Sequence, residues 1–209
     1  MATPTSTADP TPATDLPDTS SPTRGYAVPS HWVLTFGALL GVGATIAASY
    51  ERLELALHPG ETLFCDVSSK LSCSSALTSW QGSVFGIPNC WIALTVFALF
   101  ASAAVAALTG SELARGYLWF LGFFALFMLG FSLWYLWQTA FAIGSLCMFC
   151  ILCGTAVVIV NAAIWRMWRR AEILPRTLAV LVDSKLDIVA WAALWIAVAA
   201  GIMIGLSTH

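Results

Sequence analysis

From Gly116 to Trp165 the chain carries no Asp, Glu, Lys or Arg, a charge-free run of fifty residues. A helix crosses the hydrocarbon of a bilayer in about 20 residues, so the run is too long for one span. Gly144-Ser145 is the break in the right place. The run therefore reads as a helical hairpin, about Tyr117–Ile143 and Leu146–Trp165, joined by a very tight turn. The composition agrees: 59% of the residues are hydrophobic, 10% are charged and the mean hydropathy is +0.83. A soluble domain carries roughly a quarter charged residues.

Three further apolar stretches are long enough to span: His31 to about Ser49, Asn89 to about Leu108 and about Ile188 to Leu206. Five spans in one compact all-α membrane domain, residues 31–209, are expected. Residues 1–30 are rich in Thr, Pro, Ser and Asp without apolar periodicity, and read as a disordered tail. They lack the basic start, apolar core and cleavage site of a signal peptide. A loop over 51–88 separates the first two spans. Its last part, Ala76 to Ile87, is uncharged and carries Leu77, Trp80, Val84 and Phe85. It reads as a segment lying at the interface and capping the bundle.

Five spans place the termini on opposite faces, and the basic residues choose between the two orientations. With the N-terminus in the cytoplasm, seven of the nine Lys and Arg lie inside: Arg24, Arg115, Arg166, Arg169, Arg170, Arg176 and Lys185. Only Arg52 and Lys70 are then outside. This orientation brings Cys65 and Cys73, on the loop, to the same outer face as Cys147 and Cys150, at the start of the fourth span.

Six cysteines in a cytosolic protein would read as metal ligands or catalytic thiols, and on an oxidising face as disulfides. Orientation favours the second. A thiolate attacks disulfides and quinones, and a helix N-terminus favours it. Cys147, expected one or two residues into the helix, gains most from unpaired backbone N–H groups. Cys150 lies one turn deeper on nearly the same face, about 4.5 Å along the axis, facing the side from which a lipid-soluble electron carrier arrives. Cys65 and Cys73 on a mobile loop could exchange with an outer protein and then with Cys147. The arrangement reads as a relay.

Other readings of these residues stand beside it. Two cysteines in an apolar span also serve as small packing residues. A zinc site wants four ligands, and His31, His58 and His209 show no close spacing to the cysteines. Haem attachment fails because no His follows Cys150. Cys153, a further 300° or so around the helix, reads as packing, as does Cys90, although a bridge between the two is possible. Asn89, after Pro88, is either a helix cap or a hydrogen-bond donor to a ligand carbonyl, the cap slightly favoured by pattern. Asn161 reads as a helix–helix contact. Trp80 and Phe85 could wall a flat ring.

The stretches Cys65-Asp-Val-Ser-Ser-Lys-Leu-Ser-Cys73, Phe85-Gly-Ile-Pro-Asn89 and Cys147-Met-Phe-Cys150 together resemble the vitamin K epoxide reductase family, and within it the bacterial homologues. The resemblance covers residues 31–209 or so. It implies a four-helix bundle around a quinone (menaquinone or ubiquinone), a fifth helix beside it and a loop segment capping the site. It implies that Cys147 and Cys150 are the active-site pair, Cys150 nearest the quinone. Cys65 and Cys73 would be the shuttle pair, Cys73 forming the mixed disulfide with Cys147. Asn89 would hydrogen-bond a quinone carbonyl.

Bacterial members oxidise a secreted or periplasmic DsbA-like, thioredoxin-fold partner. The expected place is therefore the bacterial cytoplasmic (inner) membrane, with no nucleic-acid partner and no metal. Many relatives carry a fused thioredoxin-like domain after the fifth helix; here the sequence stops at His209, so the partner is expected in trans. Two positions depart from the pattern: Cys90, where Ser commonly follows the Asn, and Gly154, where the vertebrate enzymes have a Tyr that helps hold substrate. The competing enzymatic reading is a quinone or vitamin K epoxide reductase of metabolic role.

Overall fold

The structure, a computed structural model, describes residues 30–58 and 63–207. All but the last residue of the sequence-predicted tail lies outside them, as does His209. Seven α-helices follow in order: α1 (Ser30–Leu57), α2 (Cys73–Thr78), α3 (Asn89–Leu108), α4 (Arg115–Gln138), α5 (Met148–Arg170), α6 (Arg176–Asp183) and α7 (Leu186–Ser207). Five of these helical stretches, α1, α3, α4 with its π-helical extension, α5 and α7, are long and apolar enough to cross a membrane. Among the described residues there is no β-strand beyond isolated bridges. The protein is a multi-pass all-α membrane protein.

α1 packs against α3 and α5, and α4 against α5, so α1, α3, α4 and α5 form the bundle. Between its buried ends, Ser30 and Glu51, α1 buries Leu34, Gly37, Ala38, Gly41, Ala44, Thr45 and Ala48, a helical stripe made mostly of small residues. Small side chains let membrane helices approach closely, where packing rather than the hydrophobic effect holds them together. Phe97, Phe100, Leu121, Val160 and Ile164 fill the centre. Asn161, fully buried, donates through Nδ2 to the Ala125 carbonyl across the α4–α5 contact, and Trp168 donates through Nε1 to Leu118 O at 2.8 Å. Such bonds average about 0.6 kcal/mol inside a bilayer, so the interlocking of Phe and small residues carries more of the bundle. α7 buries only Asp187 and Gly205 and lies at the side.

Two boundaries differ from those read in the sequence. α1 continues two turns beyond Ser49, through Glu51, Arg52 and Glu54. Charge ends a span without ending a helix. α6 went unread: Leu178 and Val182 pack their apolar side onto the core after Pro175 starts the helix.

The hairpin turn stands where expected. α4 runs into a π-helical segment, Thr139–Ile143, and Gly144 at φ 74° closes it in the left-handed region that favours glycine. The N–H groups of Gly144 and Ser145 both point at the Thr139 carbonyl.

Candidate redox site

The loop after α1 is folded on its own polar residues. Asp66 accepts from Leu63 N at 3.2 Å through Oδ2, and from Ser72 Oγ at 2.8 Å and Ser74 N at 3.1 Å through Oδ1. Burial opposes its charge, but these hydrogen bonds outweigh it and hold the carboxyl below its ordinary range. Ser72 Oγ also caps α2, whose first residue is Cys73. Cys65 and Cys73 form a disulfide.

The loop is then docked onto the hairpin turn. Leu71 pairs with Leu146 as an isolated parallel bridge: Leu146 N donates to Lys70 O at 2.9 Å, and Ser72 N donates to Leu146 O at 2.9 Å. Lys70 Nζ donates to the Leu206 carbonyl in the last turn of α7 at 2.6 Å. Cations are favoured at that end of a helix.

Docking gathers the cysteines. Cys65, Cys73 and Cys147 are each fully buried in one apolar cluster with Ala48, Leu63, Ala76, Leu77 and Phe149, and Cys90 and Cys150 pack against it. Cys147 is not inside the helix, as expected from sequence, but is its N-cap, with extended backbone at φ −96° and ψ 124°. Its carbonyl accepts from Cys150 N at 3.1 Å. The reason is the turn: a tight hairpin after Gly144 leaves Ser145–Cys147 extended, which is what allows Leu146 to pair with the loop. The hydrogen bond from the Cys150 thiol, joined by the N–H groups of Cys150 and Phe149 and opposed by burial, holds the Cys147 thiol below its ordinary value.

Beneath the cluster lies a cavity of about 630 Å³, counted out to its mouth. Cys150, Cys90, Cys153, Asn89, Tyr135 and Phe131 stand on its wall, with Thr45 and Met128. Cys147 is not on that wall; Cys150 is both on it and packed against the thiol cluster. Asn89 begins α3, but the N-cap is Pro88 and no side chain caps the helix, which corrects the cap reading. Asn89 Nδ2 donates to Gln81 O at 2.6 Å, while its buried Oδ1 has no partner. A buried polar atom without a partner is costly, so a ligand oxygen bearing a proton would suit this wall. The mostly apolar lining and the unpartnered amide oxygen fit a flat ring carrying a hydroxyl, such as the reduced form of a quinone.

The two aromatic candidates fall elsewhere. Phe85 is exposed and lines a smaller neighbouring pocket with Asn89, Phe127 and Phe131. Trp80 is exposed and tilted against Trp134, its ring centroid 6.4 Å away. Sequence reasoning missed Tyr135, Phe131, Ser132 and Met128, all on α4; in a helix so rich in aromatics nothing marks the side that faces a cavity. Gly154 is read by its surroundings: a Cβ there would stand 2.7 Å from the Trp195 ring and 3.2 Å from Ser132 Oγ. A larger side chain at that position would have to displace Trp195, Leu136 and Ser132. Among the described residues, no group of three or more His, Cys, Asp or Glu is arranged to hold a metal ion.

The family model described as the vitamin K epoxide reductase family matches residues 32–166, which include nearly all of α1, the loop, α2 to α4 and most of α5. No curated protein matches the chain.

Proposed function

The chain belongs to the vitamin K epoxide reductase family and is a membrane oxidoreductase, and from that premise we propose that it oxidises a DsbA-like, thioredoxin-fold partner and passes the electrons to a membrane quinone, menaquinone or ubiquinone. It thereby supports disulfide formation outside the cytoplasm. Its site faces outward from a bacterial cytoplasmic membrane. One observation carries this reading: the loop that holds the Cys65–Cys73 disulfide is hydrogen-bonded to Leu146, next to Cys147, while Cys150 reaches the cavity.

The steps follow from thiol–disulfide exchange. The partner's thiolate opens the Cys65–Cys73 disulfide and leaves oxidised. Cys73 attacks the Cys147–Cys150 disulfide at Cys147 and frees Cys150. Cys65 then attacks Cys73, closes the loop disulfide and releases Cys147. A low Cys147 pKa makes it the better leaving group. The result is an oxidised loop over a reduced deep pair, the bonding pattern of this structure. When bound, the quinone supplies a two-electron acceptor dissolved in the bilayer. Each 30 mV by which it is more oxidising than the dithiol favours transfer by about 1.4 kcal/mol.

Cys65→Ala combined with Cys150→Ala removes both resolving thiols. Peptide mapping of that variant is expected to find Cys73 joined to Cys147. Cys73 joined to Cys90 or Cys153, or left free, overturns the electron path. Supplying vitamin K epoxide with a small dithiol tests the competing metabolic reductase: efficient turnover of epoxide, with no oxidation of a thioredoxin-fold protein, would replace this reading.

A further inference from the structure

Three residues on the cavity wall carry hydroxyls: Thr45, Ser132 and Tyr135. Two of these are committed. Thr45 Oγ1 donates to Gly41 O at 2.7 Å, and Tyr135 Oη donates to Ala76 O at 3.0 Å. Ser132 Oγ has no hydrogen-bond partner among the described residues. A Ser or Thr inside a helix commonly bonds back to the carbonyl three or four residues earlier. Thr35, Thr95, Ser102 and Thr155 do so in the other bundle helices. Ser132 does not. Its oxygen lies instead against α5 at Gly154, where an added Cβ would stand 3.2 Å away, and glycine has no side chain to cover it. In a mostly apolar cavity a few polar groups set the orientation of a ligand. Here the uncommitted ones are this hydroxyl on α4 and the unpartnered Oδ1 of Asn89 on α3.

We propose that Ser132 Oγ donates the hydrogen bond that seats a ring carbonyl of the oxidised acceptor. This rests on the proposed quinone-linked function and adds to it a residue that binds the acceptor. The two uncommitted atoms differ in what they can bond. An amide oxygen only accepts, so Asn89 Oδ1 suits a ring oxygen that carries a proton, as in the reduced form. The carbonyl oxygens of the oxidised ring also only accept, and Oδ1 gives them nothing. A serine hydroxyl holds one proton and two lone pairs. It can donate to the carbonyl of the oxidised ring and, by rotation about Cβ–Oγ, accept from the hydroxyl of the reduced one. Ser132 therefore serves the form that arrives, and Asn89 Oδ1 the form that leaves. Removing the Ser132 hydroxyl breaks no bond within the protein, so its loss weighs on the ligand and not on the fold.

The test uses the full chain in lipid nanodiscs with Cys147→Ala, which cannot close the deep disulfide and leaves the cavity wall unchanged, since Cys147 is not on it. The probes are a soluble dimethylnaphthoquinone and dimethylnaphthalene, the same ring without its oxygens. Binding is read by Trp fluorescence, with empty nanodiscs correcting for partition into lipid. Adding Ser132→Ala is expected to weaken the naphthoquinone by about tenfold, the scale of one hydrogen bond, and to leave dimethylnaphthalene within about twofold. Isotope-edited infrared spectra give a second readout that a packing role would not move. One carbonyl stretch of the bound naphthoquinone is expected at lower frequency than in the free compound, and Ser132→Ala should return it upward. The melting temperature is expected to stay unchanged. A carbonyl stretch that Ser132→Ala leaves in place, a naphthoquinone affinity within about twofold of the parent, or an equal loss with dimethylnaphthalene overturns the role of Ser132 while leaving the function intact. A parent protein that binds neither a naphthoquinone nor a benzoquinone overturns the quinone-linked function, and this inference with it.

Discussion

Ser72 donates its backbone N–H to the Leu146 carbonyl at 2.9 Å, so the residue before Cys73 is tied to the residue before Cys147. Two cysteines distant in sequence are thus aligned through the backbone, independently of any bond between their sulfurs. Such pairing resembles the way an added strand registers on a sheet edge. Here it registers a shuttle against its acceptor.

The deep pair is the first target. Cys147→Ala or Cys150→Ala is expected to lower quinone reduction by at least about 10³-fold, as loss of a covalent nucleophile does elsewhere. Quinone reduction by the reduced partner protein is the measurement. Activity surviving either change would sink the relay.

Cys65→Ala separates the two halves of the path. Oxidation of the protein partner is expected to stop, while a small dithiol that reaches Cys147 directly continues to support quinone reduction. Equal loss with both donors contradicts the shuttle role. Cys73→Ala, which leaves Cys65 alone, is expected to capture the oxidised form of the partner, the Cys65 thiolate attacking the partner's own disulfide to give a mixed disulfide and one partner thiolate, and mass spectrometry of the captured chain should identify a thioredoxin fold.

The acidity of Cys147 makes a pH prediction. Its thiol is held below the ordinary cysteine value, and the hydrogen bond from Cys150 is the leading cause. The thiolate is therefore populated at lower pH than in an ordinary cysteine. Thiolate absorbance of the reduced protein, taken as the difference from Cys147→Ser, is expected to rise with a midpoint under that value. The midpoint should move up in Cys150→Ala. An unchanged midpoint refutes the hydrogen-bond origin.

Asp66 holds the loop. Its carboxyl is depressed in the folded state, so its contribution to docking is present above the ordinary carboxylate pKa of about 3.9 and is lost as pH falls through the lower, folded value. Docking should be flat between neutral pH and about 5 and loosen only in stronger acid. Asp66→Ala leaves three donors, at Leu63, Ser72 and Ser74, without their acceptor; a buried donor left unpaired costs about 1–3 kcal/mol. Faster attack of a soluble thiol on Cys65–Cys73 is the expected readout, and an unchanged rate would show that the loop stands without it.

The spans were legible because a bilayer imposes length and excludes charge, and neither depends on tertiary contacts. The turn at Gly144 was legible for the same reason, since a charge-free run of that length must fold back. The start of α3 at Asn89 followed from Pro88. What could not be read is what contacts decide. Cys147 sits outside the helix because Leu146 must stay extended to pair with the loop, a partner 75 residues earlier in the chain. Tyr135 lies among Phe131, Trp134 and Trp137, and only the rotation of α4 in the bundle selects which ring meets the cavity. Gly154 read as a departure from a pattern, and became intelligible once Trp195 of α7 was seen filling the space beside it.

The membrane-spanning helix that buries least is held at both of its ends. In the first turn of α7, Asp187 Oδ2 accepts from Arg166 Nε of α5 at 2.9 Å, and in its last turn the Leu206 carbonyl accepts from Lys70 Nζ. Its 22 residues span about 33 Å between those pins, close to the hydrocarbon thickness of a bilayer. It cannot tilt to suit a thinner or thicker membrane without pulling on the residue beside Leu71.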